Sequence, residues 1–126
     1  MSLCVDVYVV GEDDQMRVLD VPASASDLAG FESWRTTVWG SDAVRALGAR
    51  FLPALATGEL VAVAPDEVDE FLGECALIRR NLEHVTPTAD ATQSHATHVQ
   101  QISQRLKNIE DAAERAKAVA GGVLIW

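Results

Sequence analysis

Residues 3–10 read LCVDVYVV, and this valine-rich run decides the fold. A second run, MRVLDV at residues 16–21, alternates apolar and polar side chains, and Gly-Glu-Asp-Asp-Gln separates the two runs. Two β-prone runs joined by a turn-forming link predict a β-hairpin. We therefore expect the chain to begin with two antiparallel strands.

The rest of the sheet is predicted from two short apolar runs further along the chain. Leu60–Val63 has the length of a short buried strand. The last residues, VLIW at 123–126, follow Gly121-Gly122, a pair that predicts a left-handed cap at the end of a helix. We expect the final strand to be paired inside the sheet.

The segment before Gly121 has the most regular helical pattern. Apolar or small residues recur there at spacings that alternate between three and four, which is a heptad seam. They are Val99, Ile102, Leu106, Ile109, Ala113, Ala116 and Ala120. The seam spans only about three heptads, so we favour packing against the chain's own sheet over a coiled coil between chains.

Shorter helices are expected between the strands. Helical spacing predicts a short helix over Asp27–Val38, two short pieces over Ser41–Leu55 and a clearer helix from Asp66 to Leu82. Residues 86–97 (TPTADATQSHAT) are small and polar, which predicts a mobile loop or a frayed helix start. The order predicts one α+β domain over residues 1–126, with a small antiparallel or mixed sheet packed against helices.

Charge is unevenly placed along the chain. Nineteen acidic and ten basic residues give a net charge of -9. Residues 1–70 hold thirteen acids and four bases, whereas residues 71–126 hold six of each. Nucleic acid is an improbable partner, because binding it requires lysine and arginine against the phosphates.

An acidic run without bases lies between Arg50 and Arg79. Carboxylates at a helix start are stabilised by the helix dipole, which is one explanation of the run. The other is a surface that matches a basic protein, and the lack of compensating bases favours it. The candidate partner-binding residues are Glu59, Asp66, Glu67, Asp69, Glu70 and Glu74, with Trp34 or Trp39 as an exposed aromatic anchor.

No catalytic residue, cofactor or metal site is predicted. A Gly-x-Ser-x-Gly elbow and a glycine-rich phosphate loop are missing from the sequence. His95 and His98 share a helix face, but two ligands do not make a zinc site. Cys4 and Cys75 are expected to be free thiols. The start of the chain lacks a secretory pattern and no apolar run is long enough to span a membrane, so we expect a cytoplasmic protein.

Two stretches resemble small bacterial immunity proteins of polymorphic toxin systems. They are RFLPALATGEL at residues 50–60 and RLKNIEDAAERAKAVAGGVLIW at residues 105–126, about a quarter of the chain. The resemblance implies a small, often acidic cytoplasmic protein that neutralises a cognate toxin by occluding its active site or a surface that the toxin needs. It assigns no functional residue and no toxin class.

The leading hypothesis is a non-enzymatic inhibitor that binds a basic toxin domain. The contact face is either the helix start at Asp66 or the hairpin turn at Glu12–Asp14. A structural or scaffold subunit that oligomerises through the Val99–Ala120 seam is one alternative, and the oligomeric state stays open. A small enzyme with paired carboxylates, as in Asp13-Asp14 or Asp66-Glu67, is the other.

Overall fold

The computed structural model describes residues 2–87 and 94–126. It confirms the α+β class, since a five-stranded sheet packs against helices. The strands are β1 (Ser2–Val10), β2 (Met16–Val18), β3 (Leu28–Phe31), β4 (Val61–Val63) and β5 (Gly122–Ile125). The α-helices are α1 (Trp34–Thr37), α2 (Asp42–Ala46), α3 (Val68–Arg80), α4 (Leu82–Val85) and α5 (His95–Ala118). Half of the loop predicted over 86–97, residues 88–93, lies outside the described residues, and residues 95–97 belong to α5.

The sheet is antiparallel, with β1 at its centre. Its order is β2-β1-β5-β4, and β3 pairs with the first residues of β1. The N-terminal hairpin is confirmed, with Val10 opposite Met16. Strand β5 lies between β1 and β4, so the end of the chain is paired inside the sheet as predicted.

One face of the sheet is covered by helices. Side chains alternate along a strand, so Leu3, Val5 and Val7 point to the same side, and all three are buried. Helix α5 lies against this face, and α3 packs on α5. Five seam residues of α5 are buried in this core: Ile102, Leu106, Ile109, Ala113 and Ala116. The seam therefore packs inside its own chain, and a scaffold subunit would need a different surface.

The end of α5 differs from the prediction in one detail. Ala120, with φ of 54°, takes the left-handed conformation, and Gly121 donates its N–H to the Ala116 carbonyl at 2.8 Å. Gly121 and Gly122 therefore do not provide the left-handed residue, and they are needed because the backbone packs closely against β1 there. A Cβ on Gly121 would lie 2.2 Å from the Tyr8 carbonyl oxygen, and one on Gly122 would lie 2.4 Å from the Tyr8 ring. The two glycines thus let the helix end directly against β1.

The helix predicted over Asp27–Val38 is wrong in its first half. Residues 28–31 form β3, because the start of β1 offers unpaired backbone groups that extended residues can bond. Gly30 adopts a φ of 120°, and a Cβ there would lie 2.4 Å from the Trp34 ring. Only the short helix α1 remains of the predicted element, so strand pairing has overridden the helical spacing.

The remaining helical predictions are close. The two pieces expected over Ser41–Leu55 are α2 and a 3₁₀ helix at Leu52–Thr57. The helix expected from Asp66 begins as a 3₁₀ turn at Pro65–Glu67 and becomes α-helical at Val68. This turn contacts β5, so the acidic residues at the start of α3 lie beside the part of the sheet formed by β5 and β4.

Candidate functional site

Four of the predicted acidic residues form one surface at the start of α3. They are Asp66, Glu67, Asp69 and Glu70, and they are called the acidic surface below. Asp66, Asp69 and Glu70 are exposed, and Glu67 is partly buried. Glu59 is also exposed but lies at the other end of β4. The structure therefore does not bring Glu59 into the acidic surface.

The acidic surface has counter-charges that are distant in sequence. Arg50 donates from Nη2 to Glu70 at 2.8 Å and to Glu67 at 3.0 Å, and from Nε to Glu70 at 3.1 Å. Lys117 pairs with Asp69 at 2.9 Å. Among the described residues, Asp66 has no such partner. Four carboxylates face two cations, so two negative charges remain uncompensated.

These contacts hold the carboxylates in their charged form. The backbone N–H of Ala64, 3.1 Å from Oε1, lowers the pKa of Glu67, and Arg50 lowers it further. Arg50 also lowers the pKa of Glu70 by hydrogen bonding. Hydrogen bonds to a carboxylate and a nearby cation both favour the ionised group. Glu67 and Glu70 are therefore held in their charged form.

Glu74 belongs to the interior and not to this surface. Its side chain is buried, at 8% exposure, and accepts three backbone N–H groups, from Arg50 (2.6 Å), Phe51 (2.9 Å) and Leu52 (2.8 Å). Those N–H groups lead into the 3₁₀ helix at Leu52–Thr57 and would otherwise be without acceptors. Glu74 holds this loop to α3, which corrects its assignment as a partner-binding residue.

The two predicted anchor tryptophans are also interior. Trp39 has 0% exposure and donates its indole N–H to the Ala29 carbonyl at 2.9 Å. Trp34 is buried beside it, with ring centroids 6.0 Å apart in an edge-on contact. Neither can serve as an exposed anchor. The exposed tryptophan is Trp126, at 49%, which the sequence pattern indicated only as the last residue of a paired strand.

The second face of the sheet was not predicted as a site. Val10, Met16 and Val18 are each about half exposed and share one face with Tyr8, because Val18 pairs with Tyr8, Val10 is two residues from Tyr8, and Met16 pairs with Val10. Trp126 pairs with Cys4 through both backbone hydrogen bonds, which places it on the same face. We call this surface, formed by Val10, Met16, Val18 and Trp126, the open sheet face. The sequence of β1 could have indicated this face. Successive side chains of a strand point to opposite faces, and most side chains of β1 are apolar on both faces.

Carboxylates lie on and beside the open sheet face. Asp6 accepts the Trp126 indole N–H at 2.7 Å. Burial and the carboxylates of Asp27 and Asp6 raise the pKa of the Cys4 thiol. Tyr8 donates its hydroxyl to the Val63 carbonyl at 3.1 Å, and burial, Glu67 and Asp66 raise its pKa. The acidic surface and the open sheet face therefore adjoin.

The histidines and cysteines considered as metal ligands have structural surroundings. Within residues 2–87 and 94–126, no group of three or more His, Cys, Asp or Glu could hold a metal ion. His98 instead packs near the Trp34 ring, with centroids 6.1 Å apart. Both cysteines are free, and burial strongly raises the pKa of the Cys75 thiol, which suppresses its reactivity.

Known proteins add no assignment to this geometry. Comparison of the chain with protein-family models, curated proteins and solved structures gave no match. In the part of the chain that the structure describes, none of the helices is both long and apolar enough to cross a membrane. The functional argument therefore rests on the surface itself.

Proposed function

We propose that this protein is a non-enzymatic inhibitor that binds a basic protein, as an immunity protein binds its toxin domain. The observation that carries the proposal is the acidic surface, where Asp66 has no ion-pair partner among the described residues and two charges remain uncompensated. A net charge of -9 adds a long-range field of the same sign. The resemblance of residues 50–60 and 105–126 to immunity proteins supports the same class.

The physical role of this surface is to accelerate encounter and select the partner. Opposite charges on two proteins raise their association rate, and salt weakens the effect because it screens the field. The same field repels nucleic acid phosphates. We place the protein in the cytoplasm, where its two cysteines would stay reduced.

The test uses a panel of purified basic toxin domains, beginning with the domain encoded beside the gene for this chain. Co-expression of the chain with the cognate domain should restore growth of a bacterial host. Stopped-flow measurements should show an association rate that falls as salt rises. Failure to bind and to protect against every domain in the panel would remove the proposal.

A charge-reversal pair tests the surface itself. Asp66→Lys should lower the association rate by roughly tenfold at low salt, because it reverses the unpaired charge. Glu83→Lys is the matched control, since Glu83 is equally exposed, lies in the first turn of α4 and changes the net charge by the same amount. Helix α3, 13 residues long, separates the two sites by about 20 Å. Equal effects of the two variants would show that only net charge matters and contradict a localised contact.

A further inference from the structure

The open sheet face has exposed apolar side chains at its two ends, whereas Tyr8 and Leu124 between them are buried. Val10, Met16, Val18 and Trp126 are between 43% and 52% exposed, although they belong to the central sheet or directly extend it. Helix α5 covers the other face, and the 3₁₀ turn at Pro65–Glu67 contacts β5. Val10, Met16 and Val18 lie together at the β2 end of the face, and clustered exposed apolar side chains on a small protein usually mark an interaction site.

Trp126 has the features of an interface anchor. Its ring is half exposed, and Asp6 fixes its orientation through the 2.7 Å hydrogen bond from the indole N–H. A ring that is already fixed loses little conformational entropy when it is buried by a partner. Tryptophan is also the residue type most enriched among the residues that dominate binding energy.

The charges around this face indicate what it binds. Asp6 lies on it, and the 3₁₀ turn that carries Asp66 and Glu67 contacts β5. The exposed acids at residues 12–14 form the turn between β1 and β2 at another border. Arg17 pairs with Val9 and therefore points to the opposite face. An apolar centre with an acidic border is complementary to a protein with apolar side chains inside a basic border.

A second copy of this chain is a poor occupant for the same reason. A two-fold dimer brings the same surface of both subunits together, so the acidic border of one copy would meet the acidic border of the other. Like charges opposed across an interface destabilise it. The total charge of -9 adds further repulsion between two copies.

We infer that the open sheet face is the docking surface for a basic protein, with Trp126 as an anchor at the end of β5 and the acidic surface at its border. The inference rests on the proposed function only for the class of partner, a basic toxin domain. The two surfaces then have different effects: the apolar face determines how long the complex lasts, and the acidic border determines how fast it forms.

Two substitutions on the face and one elsewhere test the inference, with the same toxin-domain panel as the probe. Trp126→Ala should weaken binding by at least about 30-fold, and Met16→Ser by about fivefold, mainly through faster dissociation. Val119→Ser is the control, because Val119 is 49% exposed and follows the end of α5 on the helix side. It should bind within about twofold of the wild type.

A second measurement reports the contact without a substitution at the interface. Trp34 and Trp39 are buried, so acrylamide should quench mainly Trp126 in the free protein. Addition of the toxin domain should protect that fluorescence, and Trp126→Phe should abolish the protected component. Circular dichroism and urea denaturation of each variant confirm that the fold is retained.

Each outcome separates this inference from the proposed function. Wild-type affinity in Trp126→Ala and Met16→Ser, together with growth protection, would overturn the docking surface and leave the inhibitor function. Binding that depends on Trp126 without growth protection would support the surface and reject inhibition. No binding to any domain would reject both. A dimer that forms at about 50 μM and that Trp126→Ala dissociates would identify a second copy as the occupant.

Discussion

Glu70 and Glu74 lie one turn apart on α3, yet they occupy opposite environments. Glu70 is exposed and pairs with the guanidinium of Arg50, which is itself exposed. Glu74 is buried and accepts the backbone N–H groups of residues 50–52. Both belong to the same acidic run of the sequence. The difference shows that an acidic run measures charge along the chain, whereas a binding surface depends on which carboxylates are left in water.

Of the substitutions that test this difference, one at Glu74 should have the largest effect, and that effect is on the stability of the fold. Glu74→Gln replaces one acceptor oxygen with an amide that cannot accept, and it removes the charge that strengthens the other bonds. Buried N–H groups then lack acceptors, so the free energy of unfolding should fall by about 3 kcal/mol. Urea denaturation measures the change.

Glu70→Gln is the matched control for that substitution. Both side chains of the pair are exposed to water, so the loss should be far smaller than at Glu74. Similar losses at the two positions would mean that the buried hydrogen bonds of Glu74 do not stabilise the loop at residues 50–52.

The next largest effect is expected from substitution of Arg50, and it concerns the rate of association with the toxin domain. Arg50→Met removes the cation that faces Glu67 and Glu70 and makes the acidic surface more negative. Its association with a basic toxin domain should become roughly threefold faster at low salt. Arg80→Met changes the net charge equally at the far end of α3 and should have little effect. A slower rate for Arg50→Met would show that its ion pairs organise the contact.

Much of the fold was predictable because it depends on local patterns. The hairpin, the middle strand, the buried seam of α5 and the paired final strand follow from alternation, heptad spacing and turn residues. The helix predicted over Asp27–Val38 failed because the competing structure is non-local. Residues 28–31 extend to pair with β1, and nothing in their own spacing of apolar residues reveals that partner.

The candidate site was predictable in place but not in composition. The sequence indicated the start of α3, and the exposed acids are there. It could not show that Arg50 and Lys117 form ion pairs with these acids, since both pairings depend on tertiary structure. It also could not separate Glu74 from Glu70, because burial depends on the loop that contacts each side chain. Trp126 was missed since its exposure depends on which sheet face the helices cover.

The smallest expected effect is the pH dependence of the contribution that Glu70 makes to the free energy of unfolding. The direction of this dependence follows from the hydrogen bonds between Arg50 and Glu70. The folded pKa of Glu70 is lowered relative to the unfolded chain. Its contribution is therefore complete above the unfolded pKa and is lost as the pH falls through the folded pKa. Urea midpoints of the wild type and Glu70→Gln should differ by a constant small amount near neutral pH and converge in acid. High salt should also reduce the difference, because the pair is exposed. A difference that widens as the pH falls would contradict an ion pair with Arg50, since protonation of Glu70 can only weaken it.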